Sequence, residues 1–337
     1  MVRIGLLGAS RIARGAVIRP SREIAEAQVT CVAARNVDRA KSYATEHGIA
    51  AVAESYTALL ERHDVDLIYN ALPPREHAEW SLLAMQAGKD VLCEKPFAMN
   101  AGEARDMVGG AASTGRVLIE AFHYRFHPVF ERVLTMIADG AIGRIEHVNA
   151  HFNVPIAANP GEIRYNRGLG GGALMDLGCY PLHWVRSVLG TEPQVVDASI
   201  RRHESGVDIE TKATLAFPGG VPAAIACSMD PALPEDLDAG LSVTGSAGQL
   251  TLNNPLAPHN GYLLTLERNG SNSSIEIDGA ARTTYWYQLQ HVIDVLAGRR
   301  PMLTGGTDAI ANMAVIDTIL ASDRSQATAV RRPTVRH

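Results

Sequence analysis

The sequence has few aromatic residues and no closely spaced cysteines. Phe, Trp and Tyr make up 5% of the 337 residues, and the four cysteines, Cys31, Cys93, Cys179 and Cys227, lie far apart with no CxxC motif. Three of them fall in apolar stretches, which favours buried, reduced thiols. Ala, Val, Ile and Leu must then form the core, as is typical of parallel sheets covered by helices. We expect a disulfide-free, cytoplasmic protein.

Long apolar runs and basic stripes are also missing. No window approaches the ~18 uninterrupted apolar residues of a membrane span, and the first residues predict a strand rather than a signal peptide. The formal net charge of -5 argues against a nucleic-acid partner. Hydrophobic residues amount to 46%, which excludes a disordered chain. A small-molecule partner is the expectation that remains.

The first 120 residues alternate between short apolar runs and amphipathic stretches. The runs predict strands at 2–7, 29–34, 66–72, 90–93 and 117–122, and the stretches between them predict helices at 11–20, 37–47, 76–87 and 101–112. Strands that alternate with helices of ten or more residues indicate βαβ units and a parallel sheet. We therefore predict a first α/β domain over residues 1–122.

The pattern changes after residue 122. A helix at 128–139, a strand at 144–154 and a helix at 173–189 precede alternating runs separated by turns, and two helices follow at 286–297 and 308–322. Residues 123–337 are thus predicted to form an α+β domain with a large, mostly antiparallel open sheet. One face of this sheet has no predicted helix, so we expect a homodimer or a higher homo-oligomer formed through that face.

The first predicted strand runs into a turn with the features of a phosphate-binding loop. Gly8 and Ala13 occupy the first and last places of a G-x-G-x-x-A pattern, and Ser10 replaces the second glycine. Gly8 permits a tight turn, and the following helix start, with Arg11 and Ile12, offers free N–H groups to a pyrophosphate. A Gly-x-Ser turn alone is weak, but its place at the start of a βαβ series favours a Rossmann-type dinucleotide site.

The end of the second strand indicates which dinucleotide binds. An NAD site places Asp or Glu there to accept from the ribose 2′-OH, whereas this chain has Arg35 and Asn36, with Arg39 one turn later. A guanidinium pairs with a 2′-phosphate through two hydrogen bonds. The alternative is that both arginines belong to a solvated helix start. We predict NADP(H) rather than NAD(H).

Two further segments contain polar groups suited to catalysis. Glu94 and Lys95, followed by Pro96, end a strand at the sheet edge where ligands of open α/β sheets bind. In the second domain, a glycine run leads into a helix on which Asp176, Tyr180 and His183 are spaced to share one face. A turn lysine and a core histidine are the ordinary explanations when each residue is taken alone.

Together these segments resemble the Gfo/Idh/MocA oxidoreductases over essentially the whole chain. The resemblance rests on Glu-Lys-Pro at 94–96, Ala-Leu-Pro-Pro-Arg-Glu-His at 71–77, Gly-Gly-Gly-x-Leu-x-Asp-x-Gly-x-Tyr at 170–180 and the phosphate-loop pattern. Tyr180, where many members have His, and the segment 120–128 are similar to the branch that contains glucose-fructose oxidoreductase, D-xylose dehydrogenase and dimeric dihydrodiol dehydrogenase. Ser10 and Pro74 depart from the common pattern.

The resemblance implies roles for individual residues. Lys95 and Tyr180 would handle the proton, and Asp176 would orient the substrate or Lys95. A tyrosine has a reference pKa of ~10 and becomes a useful base only when a nearby cation stabilises its phenolate. The expected cofactor-binding residues are Gly8, Ser10, Arg11, Ile12, Arg35, Asn36, Arg39, Leu72, Pro73, His77, Glu94 and Lys95.

The substrate is expected to be a sugar or polyol. The loop at 153–167 is rich in polar side chains, as hydroxylated substrates require, although a solvated surface loop has the same composition. The candidate substrate residues are Asn153, Arg164, Tyr165 and His183. The resulting prediction is an NADP-dependent oxidoreductase acting on a sugar-like alcohol or carbonyl.

Three alternatives stay open. A trans-dihydrodiol dehydrogenase and a non-catalytic NADP(H)-binding sensor are compatible with the same fold. A zinc enzyme is suggested by His123-x3-His127 and His147-x3-His151, but neither pair has a Cys or carboxylate to complete a site. We therefore predict no metal.

Overall fold

The computed structural model describes residues 1–234 and 236–322. Its contacts divide the chain into two units. The first unit comprises residues 1–133, 255–262 and 276–313, and the second comprises 134–254, 263–275 and the described residues from 314 onward. Each unit is built around its own sheet.

Short runs of Val, Ile and Leu give the first unit a fully parallel sheet. Its strands are β1 (Val2–Leu7), β2 (Ala27–Ala33), β3 (Ala51–Val52), β4 (Leu67–Asn70), β5 (Asp90–Cys93) and β6 (Leu118–Glu120). They lie in the order β3-β2-β1-β4-β5-β6, which confirms the predicted Rossmann-type sheet. The order reverses beside β1, and ligands of such sheets bind at the carboxyl ends of the strands near that point.

The helices between the strands of this sheet keep to the predicted alternation. They are α1 (Arg11–Ala13), α2 (Arg19–Glu23), α3 (Val37–His47), α4 (Tyr56–Leu60), α5 (His77–Gln86) and α6 (Ala101–Thr114). A π-helical turn, Arg14–Ile18, joins α1 to α2 where one continuous helix was expected. The short elements β3 and α4 were not predicted, because five residues or fewer give no resolvable periodicity.

The second unit contains an eight-stranded sheet. Its strands are β7 (Ile145–Asn153), β8 (Gln194–Arg202), β9 (Asp208–Phe217), β10 (Val221–Ser228), β11 (Asp238–Gly245), β12 (Gly248–Asn253), β13 (Leu263–Arg268) and β14 (Ser271–Ser274). The order is β14-β13-β12-β11-β7-β10-β9-β8. Only the β7–β10 pair is parallel, so the expected mostly antiparallel sheet is confirmed.

Four further helices of the described residues lie outside the βαβ series of the first unit. Helix α7 (Pro128–Ala138) precedes β7, and α8 (Cys179–Leu189) packs against β7 and β10 in the second unit. Helix α9 (Thr284–Leu296) belongs to the first unit, and α10 (Gly306–Ala321) ends the described chain. Within the described residues, no helix combines the length and apolar character needed to span a membrane.

The position of α9 differs from the predicted domain division. Residues after 122 were all assigned to the second domain, whereas Leu289, Val292 and Ile293 of α9 belong to the same buried cluster as Ile4 and Leu67 of the parallel sheet. The apolar face of α9 thus completes the core of the first unit. The periodicity of a helix identifies such a face but not the surface that it covers.

Candidate active site

The turn after β1 depends on a glycine and a serine. Gly8 has a φ of +91°, and its amide donates to the carbonyl of Ala33 (2.9 Å). A Cβ on Gly8 would lie 3.2 Å from Cδ2 of Leu72, so glycine suits both the conformation and the space. The Ser10 hydroxyl accepts from the Ala13 amide (3.3 Å). Ser10, in place of the second glycine, therefore acts as the cap of the helical turn.

Two side chains of α3 hold the same turn. Nη2 of Arg39 donates to the carbonyl of Ala9 (2.9 Å), and the Tyr43 hydroxyl donates to the carbonyl of Ser10 (2.8 Å). Burial raises the pKa of Tyr43 to about 12, so its hydroxyl is a donor at neutral pH. Arg39 thus brings a positive charge to the predicted phosphate turn and braces its backbone.

The other predicted residues near this turn lie at the surface. Arg11, Ile12, Arg35 and Asn36 are exposed, and Ile12 presents a large apolar side chain with 38% exposure. The Asn36 side chain accepts from the amide of Arg39 (2.9 Å) and caps α3. Arg35 is the second residue after β2, near the position where an NAD-selective site would carry a carboxylate.

His77 fastens the loop after β4 to the loop after β5. Its ring nitrogens lie 2.8 Å from the carbonyl oxygen of Leu72 and 3.0 Å from that of Pro96. The Asn70 amide group donates to the carbonyl of His77 (3.2 Å) and to the Ser81 hydroxyl (3.1 Å). Burial lowers the pKa of His77. His77 thus braces these two loops, and its contact with cofactor stays a prediction.

The Glu-Lys-Pro segment leaves β5 with its glutamate fixed. The hydroxyl of buried Tyr69 donates to Oε1 of Glu94 (2.5 Å), and the Lys95 amide donates to Oε2 (3.3 Å). Glu94 is 8% exposed, whereas Lys95 and Pro73 are half-buried. The Lys95–Pro96 peptide bond is cis. Lys95 therefore lies in the loop that leaves the carboxyl end of β5, and the carboxylate next to it, that of Glu94, is held by Tyr69.

The glycine run of the second unit is packed against a buried aspartate. Gly172 has a φ of +128°, and a Cβ there would overlap Oδ1 of Asp208. Oδ2 of Asp208 accepts from the Leu174 amide (2.7 Å) and the Thr211 hydroxyl (2.8 Å). Burial raises the pKa of Asp208. Sequence reasoning missed this residue, because a single aspartate at the start of a strand gives no recognisable signal.

The structure corrects the helix predicted over residues 173–189. Its second to sixth residues, Leu174–Gly178, form a π-helical turn, and α8 begins at Cys179. The i, i+4, i+7 spacing assumed for Asp176, Tyr180 and His183 holds only in an α-helix, since a π turn has a longer period. Asp176 thus lies on the π turn, and the other two residues lie on α8.

Tyr180 and His183 are buried in the second unit. Tyr180 is 4% exposed, and its ring meets that of Phe152 edge-on at 5.7 Å between centroids. Its ring centroid also lies 6.3 Å from that of Trp184. His183 is 2% exposed. The aromatic neighbours fix the plane of the Tyr180 ring.

The other predicted substrate residues differ in what they contact. Nε of Arg164 lies 2.6 Å from Oδ2 of Asp176. The Tyr165 hydroxyl donates to the carbonyl of Ile156 (2.7 Å), and the Asn153 side chain donates to Asp238 (2.8 Å). Of these three residues, only Arg164 has a described contact with a predicted catalytic residue, which is Asp176.

The histidine pairs considered for zinc have other partners. The His123 ring contacts the Thr284 hydroxyl (2.8 Å), and the His127 ring contacts the carbonyl of Arg282 (3.1 Å). Burial lowers the pKa of His123 to about 3 and that of His127 to about 4. His151 contacts the carboxylate of Asp238 (2.7 Å). Within residues 1–234 and 236–322, no three His, Cys, Asp or Glu side chains are grouped to hold a metal ion.

Two family models match successive parts of the chain. The model described as "Oxidoreductase family, NAD-binding Rossmann fold" matches residues 2–122, and the model described as "GFO/IDH/MocA C-terminal domain" matches residues 130–251. Together they cover both sheets up to β12, including every predicted site residue.

Characterised relatives and solved structures agree with these matches. The chain is 37% identical to a dTDP-3,4-didehydro-2,6-dideoxy-alpha-D-glucose 3-reductase of Streptomyces violaceoruber, over 79% of this chain and 78% of the relative. It is 37% identical to a trans-1,2-dihydrobenzene-1,2-diol dehydrogenase of Xenopus laevis, over 68% and 70%. KijD10, a 3-ketoreductase from Actinomadura kijaniata solved with NADP and TDP-benzene, superposes with a TM-score of 0.87 at 29% identity, over 96% and 98%.

Proposed function

Because the chain belongs to the GFO/IDH/MocA family of oxidoreductases, we propose that it transfers a hydride between NADP(H) and a sugar-like alcohol or carbonyl. One observation carries the proposal. Leu7, Asn70 and Cys93 are partners across three adjacent parallel strands, so the Gly8 turn and the Glu94–Lys95 segment leave the sheet at one edge. That edge is where a dinucleotide binds in sheets of this order.

The residues of the first unit fit NADP(H). Gly8 leaves space and conformation for a close backbone approach, and Arg39 is fixed beside the turn. Arg35 and Asn36 follow β2 in place of a carboxylate, which favours a 2′-phosphate over a free 2′-hydroxyl. KijD10, which was solved with NADP, supports the same cofactor.

The proton is assigned to Tyr180. Oxidation of an alcohol removes a hydride from carbon and a proton from oxygen, and a bound nicotinamide supplies the hydride acceptor. As a phenolate, Tyr180 accepts the hydroxyl proton in oxidation, and as a phenol it returns one to the alkoxide oxygen in reduction. The family resemblance assigns Lys95 to this proton transfer together with Tyr180, since a nearby cation stabilises a phenolate. Asp176 orients the reacting group.

We infer a hydroxylated substrate of the sugar class. The support is the polar loop at 153–167 and the similarity to a reductase of a dTDP-linked sugar. A trans-dihydrodiol is the second candidate, because the Phe152 ring lies against Tyr180 and a dihydrodiol dehydrogenase is among the relatives. An NADP(H) sensor without turnover is the third.

A nicotinamide-absorbance assay of the pure protein separates these candidates. NADP and NAD would each be combined with aldoses, a dTDP-linked ketosugar (with the reduced cofactors) and a trans-dihydrodiol. Turnover with a sugar and NADP is the expected result. Turnover confined to the dihydrodiol would replace the substrate class, and tight NADPH binding without any turnover would favour the sensor.

Substitution of the two proton-handling residues tests the mechanism. We expect Lys95→Ala and Tyr180→Phe each to lower kcat by at least ~10²-fold, the usual contribution of general acid–base catalysis. Lys41→Ala and Tyr287→Phe are matched controls, since Lys41 pairs with Asp38 on α3 and the Tyr287 hydroxyl donates to the carbonyl of Gly279. Full turnover in both test variants would refute the assignment.

We also propose that the second unit forms a homodimer through its sheet. On β9, Ala213 and Leu215 are buried while Lys212 and Thr214, on the opposite face, are exposed. Burial of this exposed face against a second copy would pair two identical surfaces. Light scattering should then give twice the 36.1 kDa of one chain.

The cytoplasmic location is proposed because all four cysteines are free and buried.

A further inference from the structure

Arg164 joins two acidic side chains of the second unit. Its Nε donates to Oδ2 of Asp176 (2.6 Å), and its Nη1 donates to Oε1 of Glu162 (3.0 Å). The side chains are 34%, 18% and 17% exposed for Arg164, Asp176 and Glu162, so the group is partly shielded from water. A guanidinium presents its donors in a rigid planar fork, which fixes the direction of each carboxylate that it binds.

The backbone of Arg164 contacts the glycine run as well. The Gly172 amide donates to the Arg164 carbonyl (2.9 Å), and a Cβ on Gly171 would overlap that carbonyl. The Asp176 amide in turn donates to the carbonyl of Gly172 (3.0 Å). One residue thus holds the π turn through its main chain and the Asp176 carboxylate through its side chain.

We propose that Arg164 is a positioning residue, which aims the Asp176 carboxylate and is itself held by Glu162, rather than a residue that binds the substrate. The proposal rests on the proposed function, because Asp176 orients the reacting group only if the chain is an oxidoreductase. Two of the guanidinium nitrogens of Arg164 already contact carboxylates, and its single positive charge is shared between Asp176 and Glu162. A substrate hydroxyl would have to displace a carboxylate to reach either of these two nitrogens.

The kinetic signature separates positioning from substrate binding. A misplaced catalytic group lowers kcat, and displacement of about 1 Å can cost ~10²-fold. A lost uniform contact with substrate raises KM and leaves kcat unchanged. We expect Arg164→Gln to lower kcat by ~10- to 100-fold with a smaller change in the KM of the sugar, and Arg164→Lys, which keeps the charge but not the fork, to be intermediate.

The decisive experiment is a double-substitution cycle with Asp176→Asn. If Arg164 acts through Asp176, Arg164→Gln should change kcat by less than about 3-fold in the Asp176→Asn background, because coupled residues are not additive. Added guanidinium should partly restore kcat of Arg164→Ala. Arg144→Gln is the matched control, an exposed arginine of the second unit that pairs with Glu146, and should behave as the unsubstituted protein. An undiminished loss in the Asp176→Asn background, or an effect on KM alone, would overturn the proposal.

A second readout is independent of turnover. Urea unfolding of the unsubstituted protein, the two single variants and the double variant should be non-additive, with the double variant less destabilised than the sum of the singles. If the unsubstituted protein turned over none of the substrates, the proposed function would be refuted. The unfolding measurements would then still test the contact between Arg164 and Asp176. Additive free energies of unfolding would refute the contact itself.

Discussion

Two turns that depend on a glycine with positive φ, at Gly8 in the first unit and at Gly172 in the second, are built differently. Both lead into a run that contains a π-helical turn, Arg14–Ile18 in the first unit and Leu174–Gly178 in the second. At Gly8 the nearest obstacle to a Cβ is the end of the Leu72 side chain, 3.2 Å away. At Gly172 it is the carboxylate of Asp208, which is 3% exposed and already accepts two hydrogen bonds.

The difference indicates different tasks. Hydrogen bonds from two side chains of α3 to its carbonyl oxygens hold the first turn. The second turn is enclosed by Asp208 and by the backbone of Arg164, which leaves it no room to move. If the first turn receives the cofactor, as we propose, it can adjust, whereas the turn that carries Asp176, the proposed orienting group, must keep one geometry, since catalytic groups tolerate little displacement.

Alanine at each glycine should give the largest difference between the turns. Gly172→Ala combines a positive φ with overlap at a buried carboxylate, and we expect a loss of about 4 kcal/mol in the free energy of unfolding. Gly8→Ala has the positive φ but a movable neighbour, and we expect about 2 kcal/mol. Urea unfolding at neutral pH measures both.

Gly109 supplies the control for this pair. It lies on α6 with nothing within 4 Å of an added Cβ, so Gly109→Ala should stabilise the protein by about 0.5–1 kcal/mol. Equal losses for Gly8→Ala and Gly172→Ala would mean that backbone conformation alone governs both turns and that the enclosure by Asp208 has no energetic consequence.

The two turns also differ in how much of their structure could be predicted from the sequence. The Gly8 turn, the parallel sheet and Lys95 were predictable, because each depends on residues close together in a βαβ unit. The π turn at Leu174–Gly178 was not, because one of its contacts, the hydrogen bond from the Leu174 amide to Asp208 of β9, joins residues 34 positions apart. The contact between Arg164 and Asp176 escaped for a related reason, since both residues were noted but a loop gives no fixed register.

The core of the first unit provides a second example. The apolar face of α9 was visible in its periodicity, yet its partners, such as Ile4 and Leu67, are more than 200 residues away. A helix must bury its apolar face, but the sequence does not state which sheet will accept it. A domain boundary placed at a single position in the sequence is therefore wrong where a helix near the end of the chain packs against a sheet formed by its first residues.

An arginine lies beside each turn, and its removal should affect a different kinetic constant in each unit. We expect Arg39→Ala to raise the KM of NADP by ~10-fold, about 1.4 kcal/mol, with a smaller change for NAD, because the guanidinium beside the turn is lost. Arg164→Gln should lower kcat instead. Arg22→Ala is the control, since Arg22 braces the carbonyl of His47 away from the turn. Equal rises in the KM of NADP and NAD would limit Arg39 to a structural role.

A tyrosine in each unit gives the smallest effect. The Tyr43 hydroxyl donates to Ser10 of the first turn, and the Tyr165 hydroxyl donates to Ile156 in the second unit. Each Tyr→Phe variant should lose about 1 kcal/mol of unfolding free energy, the net value of one hydrogen bond. Of these two variants, only Tyr43→Phe should also raise the KM of NADP, because Tyr43 contacts the turn that we propose binds the cofactor and Tyr165 does not.

The pH dependence of the Tyr43 variant follows from its pKa. Burial raises the folded-state pKa of Tyr43 to about 12, above the ordinary value of ~10 that applies to the unfolded chain. Between these values the folded state binds more protons, so the stability that Tyr43 contributes is complete below pH ~10 and declines as the pH rises toward 12. The difference in urea midpoint between the unsubstituted protein and Tyr43→Phe should therefore be constant from pH 7 to 9 and narrow above pH 10. A difference that widens above pH 10 would mean that the hydroxyl is not buried as a donor to Ser10.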